Sequence, residues 1–196
     1  MRSLFTGSTN IICNSPKNMF YYAKKYNPTC SVMVPGMLEI GLKLLPTLGT
    51  NILGQNMHYI IVGAAYIPPY LISEYAKLNI IIYPGYGMTE TSCFSTGNLY
   101  PELYPNSIGV LYDNLDYYID KDGELLIKGD TVFLGYYNND SENEKSFVNG
   151  YFKTGDLVSI DKNGYFYIEG RKKDIIITSS GENISPAYIE NLFKAD

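Results

Sequence analysis

Residues 9–83 alternate short apolar runs with amphipathic stretches. Thr9–Cys13, Thr29–Val34, His58–Val62 and Asn79–Tyr83 are short, apolar and rich in β-branched residues, which predicts strands. Ser15-Pro16 supplies an N-cap and a first-turn proline for a helix running to about Tyr26. Pro35–Leu45 and Pro68–Leu78 predict two more helices. Strand, helix, strand in this order implies βαβ crossovers and a parallel sheet. Ligands of such sheets sit beyond the carboxyl ends of the strands. Gly63-Ala64-Ala65 and Gly85-Tyr86-Gly87 both fall at such ends and are expected to face one crevice.

From about Ser107 the pattern changes to hairpins. Tyr117–Asp120 and Glu124–Lys128 flank Lys121-Asp-Gly123, and Leu157–Ile160 and Tyr165–Glu169 flank Asp161-Lys-Asn-Gly164. Asp-Gly and Asn-Gly are strong hairpin signals. Asn139–Ser146 is polar and reads as a surface segment. After Gly170 the chain passes through Arg171-Lys-Lys-Asp174 into a strand at Ile175–Thr178, then a turn and a helix capped by Ser185-Pro186.

Composition narrows the class. The 196 residues are 45% hydrophobic and 18% charged, an ordinary globular balance with enough chain for a sizeable core. A net charge of −5, with no basic run beyond Arg171-Lys-Lys173, gives no reason to expect nucleic acid as a partner. The three cysteines fit no metal or redox spacing and read as reduced residues. A single histidine, His58, excludes histidine clusters and histidine-based triads. No signal sequence and no apolar run of ~20 residues is seen, so the expected location is cytoplasmic.

The stretch Tyr83-Pro-Gly-Tyr-Gly-Met-Thr-Glu-Thr91 carries the candidate chemistry. Gly85 and Gly87 open the backbone, Tyr86 offers a flat ring, and Thr89-Glu90 places a hydroxyl beside a carboxylate. A ring surface, a phosphate-binding hydroxyl and a carboxylate for Mg²⁺ are what a nucleotide site needs. Taken alone, the stretch reads equally as a glycine turn ending a core strand.

The order of the motifs adds what no single motif carries. Gly63-Ala-Ala65, Gly85-Tyr-Gly-Met-Thr-Glu90, Gly135-Tyr-Tyr137, Thr154-Gly-Asp156, Gly170-Arg-Lys-Lys-Asp174 and Gly181-Glu-Asn-Ile-Ser-Pro186 together resemble the adenylate-forming (AMP-binding) superfamily. Within it the likeness is to bacterial-type long-chain fatty acyl-CoA synthetases. The resemblance implies an α/β fold. Residues 1–170 would be the C-terminal half of the large AMP-binding domain, a parallel βαβ part followed by β-hairpins. Residues 171–196 would hold the hinge and the first strand and helix of a small α+β C-terminal domain.

The same resemblance implies roles. Tyr86 would stack on adenine, with Gly63, Ala64 and Gly85 lining the purine and the acyl carboxylate. Thr89 would bind the α-phosphate, and Glu90 would ligate Mg²⁺. Asp156 would accept both ribose hydroxyls, and Arg171 would support the ribose side. Lys173 would sit at the hinge, and Gly181 would meet the pantetheine arm of CoA. The implied reaction joins a carboxylic acid, expected to be a fatty acid, to ATP, giving acyl-AMP, and then to CoA. A long-chain acid would also bring the protein peripherally against a membrane. The family's Ser/Thr/Gly-rich phosphate loop finds no match in residues 1–80, and its catalytic lysine lies past the last motif matched, so the chain is expected to be a fragment of such a ligase. Two rival readings stand beside it: an acyl-AMP ligase that loads a carrier protein, and a non-catalytic remnant that binds adenine nucleotides.

Overall fold

The computed structural model describes residues 6–174, 176, 177, 183, 184 and 186. The chain divides into two compact units, Met1–Val62 with Tyr70–Ile82, and Gly63–Pro69 with Tyr83–Asp196.

The first unit carries the βαβ part. A single 3-10 turn at Pro16–Asn18 leads into α1 (Met19–Tyr26), which ends on Asn27 in the left-handed conformation. β1 (Cys30–Met33) runs parallel to β2 (Tyr59–Val62), joined through α2 (Pro35–Leu48). α3 (Pro69–Ala76) packs Leu71, Ile72 and Tyr75 inward, and the buried Tyr75 hydroxyl donates to Leu38 O at 3.0 Å. A buried phenol needs such an acceptor.

Two expectations fail in this unit. Thr9–Cys13 is not a strand; it has no ladder partner among the described residues, and Ile12 is 87% exposed. An apolar run without a partner has nothing to pair its backbone groups with. α2 continues past Leu45 through Pro46 to Leu48, because a proline in the last turn forfeits little of the helix ladder.

In the second unit β3 (Ile81–Met88) pairs antiparallel with β4 (Cys93–Gly97), which pairs with β5 (Val110–Leu111). Gly85-Tyr86-Gly87 therefore belongs to the strand and does not end it. The glycines serve a close approach: a Cβ on Gly87 would overlap the Cys93 carbonyl oxygen and lie 2.7 Å from Phe94 Cα. A register shift between Tyr86 and Gly87 marks the same crowding.

Both expected hairpins form. β6 (Leu115–Ile119) pairs with β7 (Glu124–Gly129), and β9 (Tyr151–Ile160) pairs with β10 (Phe166–Arg171). β7 also pairs with β9, β8 (Phe147–Val148) adds to β9, and Leu125, Ile127, Val158 and Phe166 form the core beneath. The turn chemistry is visible: Asp120 Oδ1 accepts the Asp122 and Glu124 N–H groups, and Asp161 Oδ1 accepts those of Asn163 and Tyr165. The polar segment after Asn139 folds as α4 (Asp140–Ser146), with no buried residue. Beyond the 3-10 turn Lys172–Asp174, the short strands β11 (Ile176–Ile177) and β12 (Asn183–Ile184) pair with each other.

Candidate functional site

β9 and β3 bring the central group together. Asp156 is only 4% exposed and lies where β9 bulges away from β7. Glu124 pairs with Leu157 and Leu126 with Lys153, so Thr154-Gly155-Asp156 stands opposite Leu125 alone. A bulge re-aims the side chains of the strand that carries it. Thr154 Oγ1 secures this bulge by donating to Leu125 O at 2.7 Å and accepting the Asp156 N–H at 3.1 Å.

Asp156 then meets two partners. The Tyr86 hydroxyl donates to Oδ2 at 2.7 Å, and Arg171 Nε pairs with Oδ1 at 2.8 Å. Arg171 stands directly across the ladder from Asp156, an alignment set by a second bulge between Ile168 and Gly170. Burial raises the Asp156 carboxyl above the usual carboxylate range, against the opposing pull of the Tyr86 hydroxyl and the Arg171 guanidinium. Burial, and then the neighbouring Asp156 charge, push the Tyr86 phenol up, so it stays protonated as a donor.

The glycine clusters expected at one crevice do lie side by side. A Cβ on Gly63 would sit 2.9 Å from Gly85 O, and the Phe94 ring lies against both glycines, 2.6 Å from the Gly63 position and 2.7 Å from the Gly85 position. Phe94 is a residue that sequence reasoning missed. Ala64 follows with φ +69, the left-handed region that costs an alanine about 1–2 kcal/mol.

Thr89 and Glu90 form a 3-10 turn with Thr91 directly after β3. Thr89 is exposed, whereas the fully buried Thr91 hydroxyl shapes the turn, accepting the Met88 N–H at 3.2 Å. Glu90 Oε1 accepts the Tyr136 hydroxyl at 3.0 Å, and Glu90 O accepts the Phe133 N–H at 2.8 Å. Tyr136 is itself clamped at its backbone: its N–H donates to Asn143 Oδ1 at 2.6 Å, and Asn143 Nδ2 donates to its carbonyl at 3.0 Å. Burial, then the Glu90 carboxylate, raises the Tyr136 phenol.

Past Arg171 the lysines differ. Lys172 Nζ contacts Glu124 and Asp122 at 3.0 Å and Asp120 at 3.3 Å, and these carboxylates hold its ammonium well above the usual lysine range. Lys173 is exposed in the same turn. Gly181 lies outside the described residues. Sequence reasoning passed over Lys172, Glu124 and Tyr136. Tyr136 had a signal in Gly135-Tyr-Tyr137; Glu124 and Lys172 had none short of the fold.

The arrangement offers a flat phenol ring beside a buried anionic acceptor, an arginine, and a carboxylate near an exposed hydroxyl. Known proteins share it. The family model for AMP-binding enzymes matches residues 1–137. A long-chain-fatty-acid–CoA ligase of Mycobacterium bovis is 37% identical over 143 residues, 73% of this chain and 24% of that protein. A 2-succinylbenzoate–CoA ligase of Staphylococcus aureus is 42% identical over 149 residues, 71% of this chain and 29% of that protein. The solved o-succinylbenzoate CoA synthetase of Bacillus subtilis, in complex with its acyl-adenylate intermediate, matches with a TM-score of 0.86 and 27% identity, covering 100% of this chain and 42% of that one. The match thus spans 24–29% of the length of these two curated relatives. With the family model covering well over half its residues, the chain belongs to the AMP-binding enzyme family, within the adenylate-forming acid–CoA ligase superfamily.

Proposed function

We propose that this chain provides the adenosine-binding part of an ATP-dependent acid–CoA ligase whose acid is a long-chain fatty acid. The observation that carries the reading is Asp156, a buried carboxylate fixed by Tyr86 and Arg171. An ionised carboxylate has about four lone-pair positions. Tyr86 and Arg171 use one each, which leaves acceptors for ribose hydroxyls, while the Tyr86 ring offers a stacking face for adenine. Thr89, exposed at the end of β3, would bind the α-phosphate.

Glu90 fits Mg²⁺ in one particular way. Mg²⁺ is usually held by one or two carboxylates together with substrate phosphates. Among the described residues no group of three or more metal-ligating side chains exists, which agrees with a metal shared between Glu90 and the nucleotide. Bound there, Mg²⁺ would neutralise phosphate charge. CoA is the proposed acceptor, in keeping with the names of both curated relatives.

Titration calorimetry with AMP tests the reading on this chain. Binding heat that Asp156→Ala abolishes supports it, and equal heats from the two proteins would sink it. The Staphylococcus aureus relative favours a second acid, an aromatic dicarboxylate. Non-hydrolysable analogues of palmitoyl-AMP and 2-succinylbenzoyl-AMP, titrated side by side, decide between the acids by which binds more tightly.

A further inference from the structure

Glu124 opens β7 and is 5% exposed, a burial that carboxylates rarely accept without partners. Its two oxygens serve two segments. Oε1 accepts the Gly155 N–H at 3.0 Å, and Oε2 pairs with Lys172 Nζ at 3.0 Å. Gly155 precedes Asp156, and Lys172 follows Arg171. One carboxylate therefore grips the chain neighbours of both members of the Asp156–Arg171 ion pair.

The bulge explains why a side chain is needed. Between the Glu124–Leu157 and Leu126–Lys153 pairs the β7–β9 ladder is interrupted, so the Gly155 N–H has no ladder acceptor. Gly155 holds φ +74, and the Glu124 carboxylate accepts its N–H in place of a strand carbonyl. Lys172 is drawn toward the same carboxylate and also reaches Asp120 and Asp122 on the turn before β7.

We propose that Glu124 is a positioning residue of the nucleotide site: it fixes the bulge that presents Asp156 and, through Lys172, the turn that follows Arg171. This rests on the adenosine-binding reading of Asp156. Asp120 and Asp122 lie at the surface, so the Lys172 contribution is screened by salt; the Gly155 bond is not.

The test compares Glu124→Ala, Glu124→Gln and Lys172→Ala by AMP calorimetry and by amide hydrogen exchange at Gly155 in the nucleotide-free chain. Glu124→Ala is expected to speed Gly155 exchange and to weaken AMP about tenfold. Glu124→Gln keeps an oxygen for Gly155 and is expected to restore protection and most of the affinity. Lys172→Ala is expected to leave Gly155 protected and to cost less affinity than Glu124→Ala. A purely structural carboxylate would lower the melting temperature and leave both readouts unchanged, and that result overturns the proposal. Equal losses in the alanine and glutamine variants overturn it too. If the parent chain binds no AMP, the adenosine reading fails on its own, and Gly155 exchange still decides whether Glu124 holds the bulge. Should Glu124→Ala not fold, Glu124→Asp replaces it with the same expectation, being one methylene too short to reach Gly155 and Lys172 together.

Discussion

The Tyr86 hydroxyl and Asp156 Oδ2, 70 residues apart in sequence, are joined by a hydrogen bond of 2.7 Å. The bond does two things at once. It holds the phenol ring in one orientation, and it occupies one edge of the carboxylate that Arg171 holds at the other oxygen. Tyr86→Phe separates these effects, since the ring stays and only the hydroxyl leaves. Hydrogen bonds to charged groups contribute about 1.5–3 kcal/mol, so a melting temperature lower by several degrees is expected. AMP should bind more weakly than to the parent, yet more tightly than to Tyr86→Ala, which also removes the ring. Indistinguishable affinities for the Phe and Ala variants would show that the ring contributes nothing.

Asp156 should leave a pH signature. Its folded-state pKa is raised, by burial first and with the Glu124 charge adding to it, over the opposing Tyr86 and Arg171 interactions. A carboxyl raised on folding binds its proton more readily in the folded chain than in the unfolded one. Its stabilising contribution is complete below the unfolded pKa and is lost as pH rises through the folded value. Asp156→Asn removes that dependence. The melting temperature of the Asn variant minus that of the parent should therefore be larger at about pH 7 than at about pH 3. Carboxylates shifted the other way, such as Asp116, lowered by its bond from Tyr151, are common to both proteins and cancel in the difference. A difference that shrinks toward neutrality contradicts the shift. The same variant should bind AMP poorly, a trade of function for stability expected at a strained polar site.

Parts of this were legible in the sequence because they are local. Asp120 and Asp161 build their own turns from side-chain acceptors, so the hairpins were readable from a few residues each. The strand–helix alternation gave the parallel β1–β2 pair for the same reason. Thr9–Cys13 misled because β-branched composition speaks only to what a segment would prefer once a partner exists. Phe94 and Glu124 were invisible for a different reason. Phe94 matters because β4 returns antiparallel to β3 and lays its ring on Gly63 and Gly85, and Glu124 matters because β9 bulges opposite it. Neither relation has a short-range signal. The same holds for the choice between adjacent lysines: only the folded hairpin decides that Lys172, and not Lys173, meets the three carboxylates.

Gly87 tests the close approach of β3 to β4. A methyl group there would collide with backbone atoms of Cys93 and Phe94, which cannot rotate away as a side chain could. Gly87→Ala is expected to destabilise the chain by at least the ~1–3 kcal/mol typical of overpacking, read as a fall in the denaturant midpoint with an unchanged slope. Gly123→Ala is the control, because a Cβ there meets nothing within 4 Å and only its φ of +87 is strained. Equal losses at the two positions would mean that conformation alone, and not the approach of the strands, accounts for Gly87.

Tyr136 tests whether Glu90 is held ready for a cation. Its hydroxyl donates to Glu90 Oε1 at 3.0 Å, while Asn143 holds its backbone at both the N–H and the carbonyl. A carboxylate so restrained has less freedom to lose when it binds Mg²⁺ with the nucleotide phosphates. Tyr136→Phe removes only the hydroxyl and leaves the ring edge-on against Phe133, where the centroids lie 4.8 Å apart. AMP binding without metal should be unchanged, because it does not call on Glu90. The gain in ATP affinity that Mg²⁺ confers should fall by about three- to tenfold, the size expected for one hydrogen bond of this kind. Calorimetric titrations of ATP with and without Mg²⁺ give that gain directly. If the parent and the variant show the same gain, Tyr136 is a packing residue and the restraint on Glu90 has no part in binding the metal.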